Sequence, residues 1–208
     1  MSGVVLLGDS IFDNARFVSP DEKPVFEQLQ SVLQTGSTAT LLAVDGSVTR
    51  DVIKQLESIP SRTTHVAISS GGNDALEARH VIFSCQSPEA LLETLTLLQR
   101  EFRIAYERLI SAAKKKKLPT LVCTIYDSMP GLSSIEQTLL SVFNDVIVLQ
   151  ASHAGFPIID LRSLCSDTQD YSEISPIEPS AQGGMKIAKL IAMVVQEHDF
   201  GAGRTAIY

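Results

Sequence analysis

Three short stretches of this chain, each at or just after the end of an apolar run, set a glycine before a short polar residue: Gly8-Asp9-Ser10, Gly46-Ser47 and Gly72-Asn73-Asp74. A serine becomes a nucleophile when its backbone turns sharply enough to present the hydroxyl and when N–H donors are aimed at the oxyanion it creates. Ser10 follows the four-residue apolar run Val4 to Leu7 and Gly8, so it falls where a buried strand ends and a tight turn begins. A free N–H at Gly46, the Asn73 amide and the N–H of Ser10 itself would together hold the negative oxygen of a tetrahedral intermediate. The plainer alternatives are that Asp9 and Ser10 only cap a helix, and that Gly71-Gly72-Asn73-Asp74 is only a turn.

The elements that must position these residues alternate. Strand-like runs are read at Val4 to Leu7, Thr40 to Val44, Val66 to Ser69, Leu121 to Tyr126 and Pro157 to Leu161. Helical spacing is read over Val25 to Leu33, Val48 to Ile59, a stretch of roughly 25 residues from Ser87-Pro88 to the lysine run, Ser134 to Ala154, and Ser180 to Glu197. Such alternation predicts a three-layer α/β/α domain around a five-stranded parallel sheet of order 2-1-3-4-5, a flavodoxin-like arrangement, with ligands at the C-terminal ends of the strands. In that order the ends of strands one, two and three are neighbours, which is why the three glycine stretches converge. Residues 1–200 are expected to form one domain, and the tail 201–208, with Gly201 and Gly203, to fray.

Composition narrows the partners. With 17 Lys and Arg against 24 Asp and Glu, a net charge of -7 offers no attraction to nucleic acid or anionic membrane, which points to small molecules. The basic run Lys114 to Lys117 reads as a solvated helix end. Cys85, Cys123 and Cys165 are odd in number and widely spaced, which suggests neither a disulfide framework nor a zinc site. No leader and no membrane-spanning run is read, so a cytoplasmic location is expected, and no cofactor or metal is called for.

On these residues the chain resembles the SGNH, or GDSL, hydrolases, a family of esterases, lipases, thioesterases and carbohydrate deacetylases. The resemblance spans Val4 to about Val195. It implies Ser10 as nucleophile within Gly8-Asp9-Ser10-Ile11, Gly46 as oxyanion glycine, Asn73 as oxyanion asparagine, and an ester as substrate. The family's last block, an Asp and three residues later a His followed by Pro, is matched here by Ser175-Pro176-Ile177-Glu178-Pro179. Glu178 therefore stands in the histidine's place and Ser175 in the aspartate's.

The two departures are chemically consistent. A triad aspartate orients an imidazole and stabilises imidazolium. A carboxylate base forms no cation, a neighbouring carboxylate would repel it, and the Ser175 hydroxyl could donate a hydrogen bond to Glu178 instead. An unperturbed glutamate is a weaker base than histidine, pKa about 4.3 against about 6.5, roughly 3 kcal/mol of proton affinity. With Glu178 as base, hydrolysis is expected to depend on a group of pKa about 4 to 6 and to run flat through neutrality. Among the histidines, His65 and His153 belong to the opposite sheet edge, and His198 lies roughly 27 Å along the last helix. Only His80 starts from the correct edge, and Asp9 and Asp74 flank the two main blocks. Phe12, Phe17, Tyr126 and Met129 are candidates to line a pocket.

Three functions fit these residues. The first is an SGNH-type ester hydrolase with Ser10, Gly46, Asn73 and Glu178 as its machinery. The second is a weak or inactive relative that holds an ester, acetylated glycan or anion without cleaving it. The third, a mononucleotide binder of flavodoxin type, suits the topology but lacks a phosphate-loop pattern.

Overall fold

A computed structural model describes residues 2–208. Five parallel strands, β1 (Gly3–Gly8), β2 (Thr38–Leu41), β3 (His65–Ser69), β4 (Thr120–Cys123) and β5 (Ile158–Ile159), form one sheet in the order β2-β1-β3-β4-β5. The register sets Gly8 beside Ser69 and Ser69 beside Cys123, so β1, β3 and β4 end level with one another. Their side chains alternate between two buried layers because both faces are covered. Val5, Leu7, Val66, Ile68 and Val122 pack with α2 (Thr49–Glu57), α4 (Pro88–Lys115) and α5 (Ser134–Ala154). Val4, Leu6, Ala67, Leu121 and Cys123 pack with α1 (Val25–Val32) and α7 (Ala181–Glu197).

The helix ends follow from local chemistry. Ser87 accepts the N–H of Ala90 ahead of Pro88 to open α4, Ser133 and Glu136 form a capping box on α5, and Ser180 accepts the N–H of Gly183 on α7. Gly155 closes α5 in the left-handed conformation.

The structure departs from the sequence expectation in three places. A helix, α3 (Gly72–Phe83), follows β3 where no helix is read from the sequence; its apolar residues do not concentrate on one face, and only Ala78 and Ile82 are buried. Strands β2, β4 and β5 are shorter than their apolar runs, which continue as buried loops such as Thr124 to Tyr126, and a short helix, α6 (Leu161–Leu164), follows β5. The C-terminal tail does not fray. Ile158 N–H donates to Ala206, Tyr208 N–H to Ile158 and Asp160 N–H to Tyr208, so the tail lies beside β5. Its glycines misled the reading because strand-type hydrogen bonds, which need no side chain, hold it. No helix among the described residues is long and apolar enough to cross a membrane.

Candidate active site

At the end of β1 the chain must pass directly over β3. Gly8 has φ of +136° and a Cβ there would lie 1.8 Å from the Ser69 carbonyl oxygen, so only glycine fits. Gln55 of α2 holds this point from the side, accepting the Gly8 N–H at 2.7 Å and donating to the Gly8 carbonyl at 2.9 Å. One helical turn follows, with Phe12 and Asp13 N–H donating to the Asp9 carbonyl and Ile11 N–H to the Asp9 side chain. Ser10 sits on this turn, nearly buried, at the mouth of a cavity.

Two stretches close around it. Asn73 opens α3 and donates its amide to the Ser47 carbonyl at 2.9 Å, while Gln55 donates to the Ser47 hydroxyl. Gly46, with φ of +79°, is exposed at the tip of this loop and is not part of the cavity wall, whereas Asn73 is. The loop is drawn toward the Ser10 turn by Val44 N–H donating to Gly8 and Asp45 N–H to Asp13. Asp74 points away from the cavity and accepts the N–H and hydroxyl of Thr49, joining the starts of α3 and α2. Burial raises its pKa against those two bonds.

Glu178 arrives from the opposite side, on the loop before α7, and lines the same cavity as Ser10. That loop is stitched at several points. Tyr126 donates to the Ile177 carbonyl at 2.6 Å, the fully buried Asn14 donates to the Pro179 carbonyl at 3.1 Å, and Ser172 N–H donates to the Glu178 carbonyl at 2.9 Å. Asn14 also accepts the N–H of Val25, so one side chain binds the Ser10 segment, α1 and the Glu178 loop together. Gly183 allows α7 to approach: a Cβ there would lie 2.1 Å from the Asp170 carbonyl.

The Glu178 carboxyl is buried and its Oε2 has no hydrogen-bond partner. Burial pushes its pKa up to about 7; the Ser10 hydroxyl pulls it down as a hydrogen-bonding neighbour, and the Asp45 charge pushes it up. No hydrogen bond closes between Ser10 and Glu178, and the carboxyl Oε2 is left without a partner. Asp9 is pushed up to about 8, again by burial, against the Ile11 N–H and with help from the charges of Glu178 and Asp74. At neutral pH Asp9 is therefore mostly protonated, which spares Glu178 a second negative charge beside it.

Two expectations need correction. Ser175 reaches Glu178 only through its carbonyl, which accepts the Glu178 N–H at 2.9 Å, so its hydroxyl does not serve the carboxyl. The pKa expected for a glutamate base, about 4 to 6, becomes about 7 because the carboxyl is buried. His80 lies on the exposed outer part of the cavity wall, roughly 10 Å along α3 from Asn73. His65 and His153 lie at the far edge as expected, and His198 follows the end of α7. Of the four pocket candidates, Tyr126 and Met129 line the cavity, whereas Phe12 packs in the core.

The cavity, about 320 Å³, runs from Ser10, Asn73 and Glu178 between α3 and α5, walled by Leu76, Ile82, Ile125, Met129, Leu132, Leu139, Leu140, Phe143 and Ile177. Gln55, Asn14 and the α3 and α5 wall residues carry no signal of their own in the sequence. Their roles arise from contacts 8 to 165 positions apart along the chain, the longest being the Asn14 to Pro179 bond. Among the described residues no cluster of His, Cys, Asp or Glu is placed to hold a metal ion.

Comparison with known proteins decides the family. Residues 6–184 match the model of the GDSL-like Lipase/Acylhydrolase family. The chain belongs to this family. The fold of this GDSL-family chain is shared with solved structures at low identity. An extracellular lipase from Streptomyces rimosus is 20% identical, with 94% of this chain and 99% of that one covered and a TM-score of 0.68. A lipase/acylhydrolase from Enterococcus faecalis is 19% identical, with coverage of 94% and 96% and a TM-score of 0.66. A catalytic mutant of an acetylxylan esterase from Geobacillus stearothermophilus is 15% identical, with coverage of 96% and 95% and a TM-score of 0.64. A search of curated proteins found no match.

Proposed function

We propose that this GDSL-family chain is a serine hydrolase of carboxylic esters in which Glu178 takes the place usually held by histidine, with Ser175 where the paired aspartate would stand. The observation that carries this reading is that Ser10 and a buried carboxyl of pKa about 7, with one oxygen free, face a single cavity. A general base works best with a pKa near the working pH, and burial brings Glu178 there. Burial thus offsets much of the basicity that glutamate lacks relative to imidazole.

In the first half-reaction the Ser10 hydroxyl oxygen attacks the ester carbonyl carbon while its proton passes to ionised Glu178. The carbonyl π electrons move to the oxyanion, which the N–H of Ser10 and the Asn73 amide stabilise, Gly46 lying too far out on its loop to take the part expected of it. The Asn73 bond to Ser47 uses one of its two amide hydrogens and leaves the other for this role. Collapse of the intermediate breaks the bond to the alcohol, which leaves with the proton from Glu178. Water then repeats the sequence on the acyl-Ser10 ester and releases the acid. Glu178 alternates between charged and neutral and never becomes a cation, so no second carboxylate is required.

A second reading, an esterase fold that binds without turnover, is favoured by one observation: no imidazole stands beside Ser10. Labelling with a fluorophosphonate separates the two. The hydrolase reading expects one adduct, on Ser10, absent from Ser10→Ala; no adduct, or one elsewhere, supports the binding reading.

A further inference from the structure

The cavity continues well past the residues that would do chemistry. From Ser10 it extends beneath α3 toward Ile82 and Phe143, and its deep walls are apolar. Glu178 must hand its proton to the departing alcohol, so the alcohol leaves on the Glu178 side, toward the exposed Ile174 to Ile177 loop. The acyl group then points the other way, under α3. The cavity as a whole, about 320 Å³, is far larger than an acetyl group needs.

Phe143 is one of its buried walls. It stands on α5, tilted 55° against Phe102 at 4.9 Å, and also lines a second hollow along α3 where Val48, Ala78 and Leu98 mix with Arg50, Asp74, Glu77 and Glu101. The apolar path therefore stops at Phe143, since the charged walls beyond it do not suit a methylene chain. At the outer end Arg79 of α3 and Glu136 of α5 pair at 2.6 Å, joining the two helices that form the walls.

We infer that the cavity takes the unbranched acyl chain of a medium-chain ester, and that Phe143 sets the length at which the chain must stop. This rests on the hydrolase reading for the direction of the acyl group. The apolar space is the independent observation, and it selects against acetyl esters because each methylene buried there is worth about fourfold in transition-state binding.

The test is kcat/KM for p-nitrophenyl acetate, butyrate, octanoate, dodecanoate and palmitate, with octyl acetate as the reverse case. Octanoate should exceed acetate by at least about tenfold, palmitate should fall back, and octyl acetate should gain nothing from its long alcohol. Phe143→Leu, which trims a buried wall of the cavity, should move the optimum toward dodecanoate. Leu76→Trp, on the less buried roof, should lower the octanoate to acetate ratio at least about tenfold and keeps the test alive if the Phe143 variant fails to fold. A flat profile, a preference for acetate, a preference that follows the alcohol, or ratios unmoved by both variants would overturn the inference. Should no ester be cleaved, the hydrolase reading fails and binding decides the acyl pocket separately: Ser10→Ala should bind 2-decanone at least about tenfold more tightly than 2-butanone, and equal binding would overturn it.

Discussion

The two sides of the Ser10 turn are built differently. On the Glu178 side, polar side chains reach across the sequence to backbone groups: Asn14 to Pro179 and Val25, Tyr126 to Ile177, and Gln28 of α1 to Ala181. On the α3 side there is an apolar hollow, roofed by a helix with two buried residues and joined to α5 by the exposed Arg79 and Glu136 pair. The contrast teaches which tolerance each task needs. A base must sit within hydrogen-bond reach of its nucleophile, and a misplacement of about 1 Å can cost on the order of 10²-fold in rate, so directional bonds fix it. A chain of methylenes is recognised by area, which non-directional walls supply.

The largest break should come from the polar side. Glu178→Gln keeps the shape and removes the base, and kcat/KM for a short ester should fall by about 10² to 10⁴ with the melting temperature held or raised. Next, Asn73→Ala removes an oxyanion donor and frees the Ser47 carbonyl, for a loss of about 10² to 10³ that appears in kcat more than in KM.

Asn14→Ala tests whether the stitching matters to the base. It strips partners from the buried Pro179 carbonyl and Val25 N–H, with a cost of about 1 to 3 kcal/mol for each group left unsatisfied. Denaturant melts should show that loss, and kcat should drop at temperatures where the variant is still folded. The α3 side gives the smallest effect: Arg79→Ala breaks a pair whose arginine is about half exposed, and stability should change by no more than about 1 kcal/mol, less at high salt.

The buried acids add a pH signature. Asp9 has its pKa raised from 3.8 to about 8 on folding, so between those values the folded state holds more protons than the unfolded one and stability falls as pH rises. Asp9→Asn removes that penalty. Its melting temperature should gain on wild type from pH 5 to pH 8.5 by scanning calorimetry, and an unchanged difference would show that Asp9 is ionised or solvated after all.

The same contrast explains what was legible in the sequence. Strand order, the helices other than α3 and α6, and the convergence of Gly8, Ser10, Asn73 and Glu178 could be read because each rests on local pattern: apolar runs, glycines before polar residues, and caps such as Ser180. α3 was missed because its residues do not divide into an apolar and a polar face: the helix covers a hollow rather than a packed core. Gln55, Asn14 and Tyr126 were not legible as holders of the site, since a glutamine on a helix looks alike whether it faces water or the Gly8 backbone. The place of Glu178 before Pro179 is legible in the sequence, but its raised pKa is not, because that depends on burial by segments distant in sequence.

The central claim is that a buried glutamate is the base for Ser10, and the direct measurement is kcat/KM against pH from 5 to 9 for wild type, Glu178→Gln and His80→Ala on p-nitrophenyl octanoate. The account predicts that wild type and His80→Ala rise together through a single limb near pH 7, as Glu178 ionises, while Glu178→Gln loses that limb and lies about 10² to 10⁴ lower throughout. A limb that survives in Glu178→Gln but disappears in His80→Ala would contradict it and give the proton to the histidine.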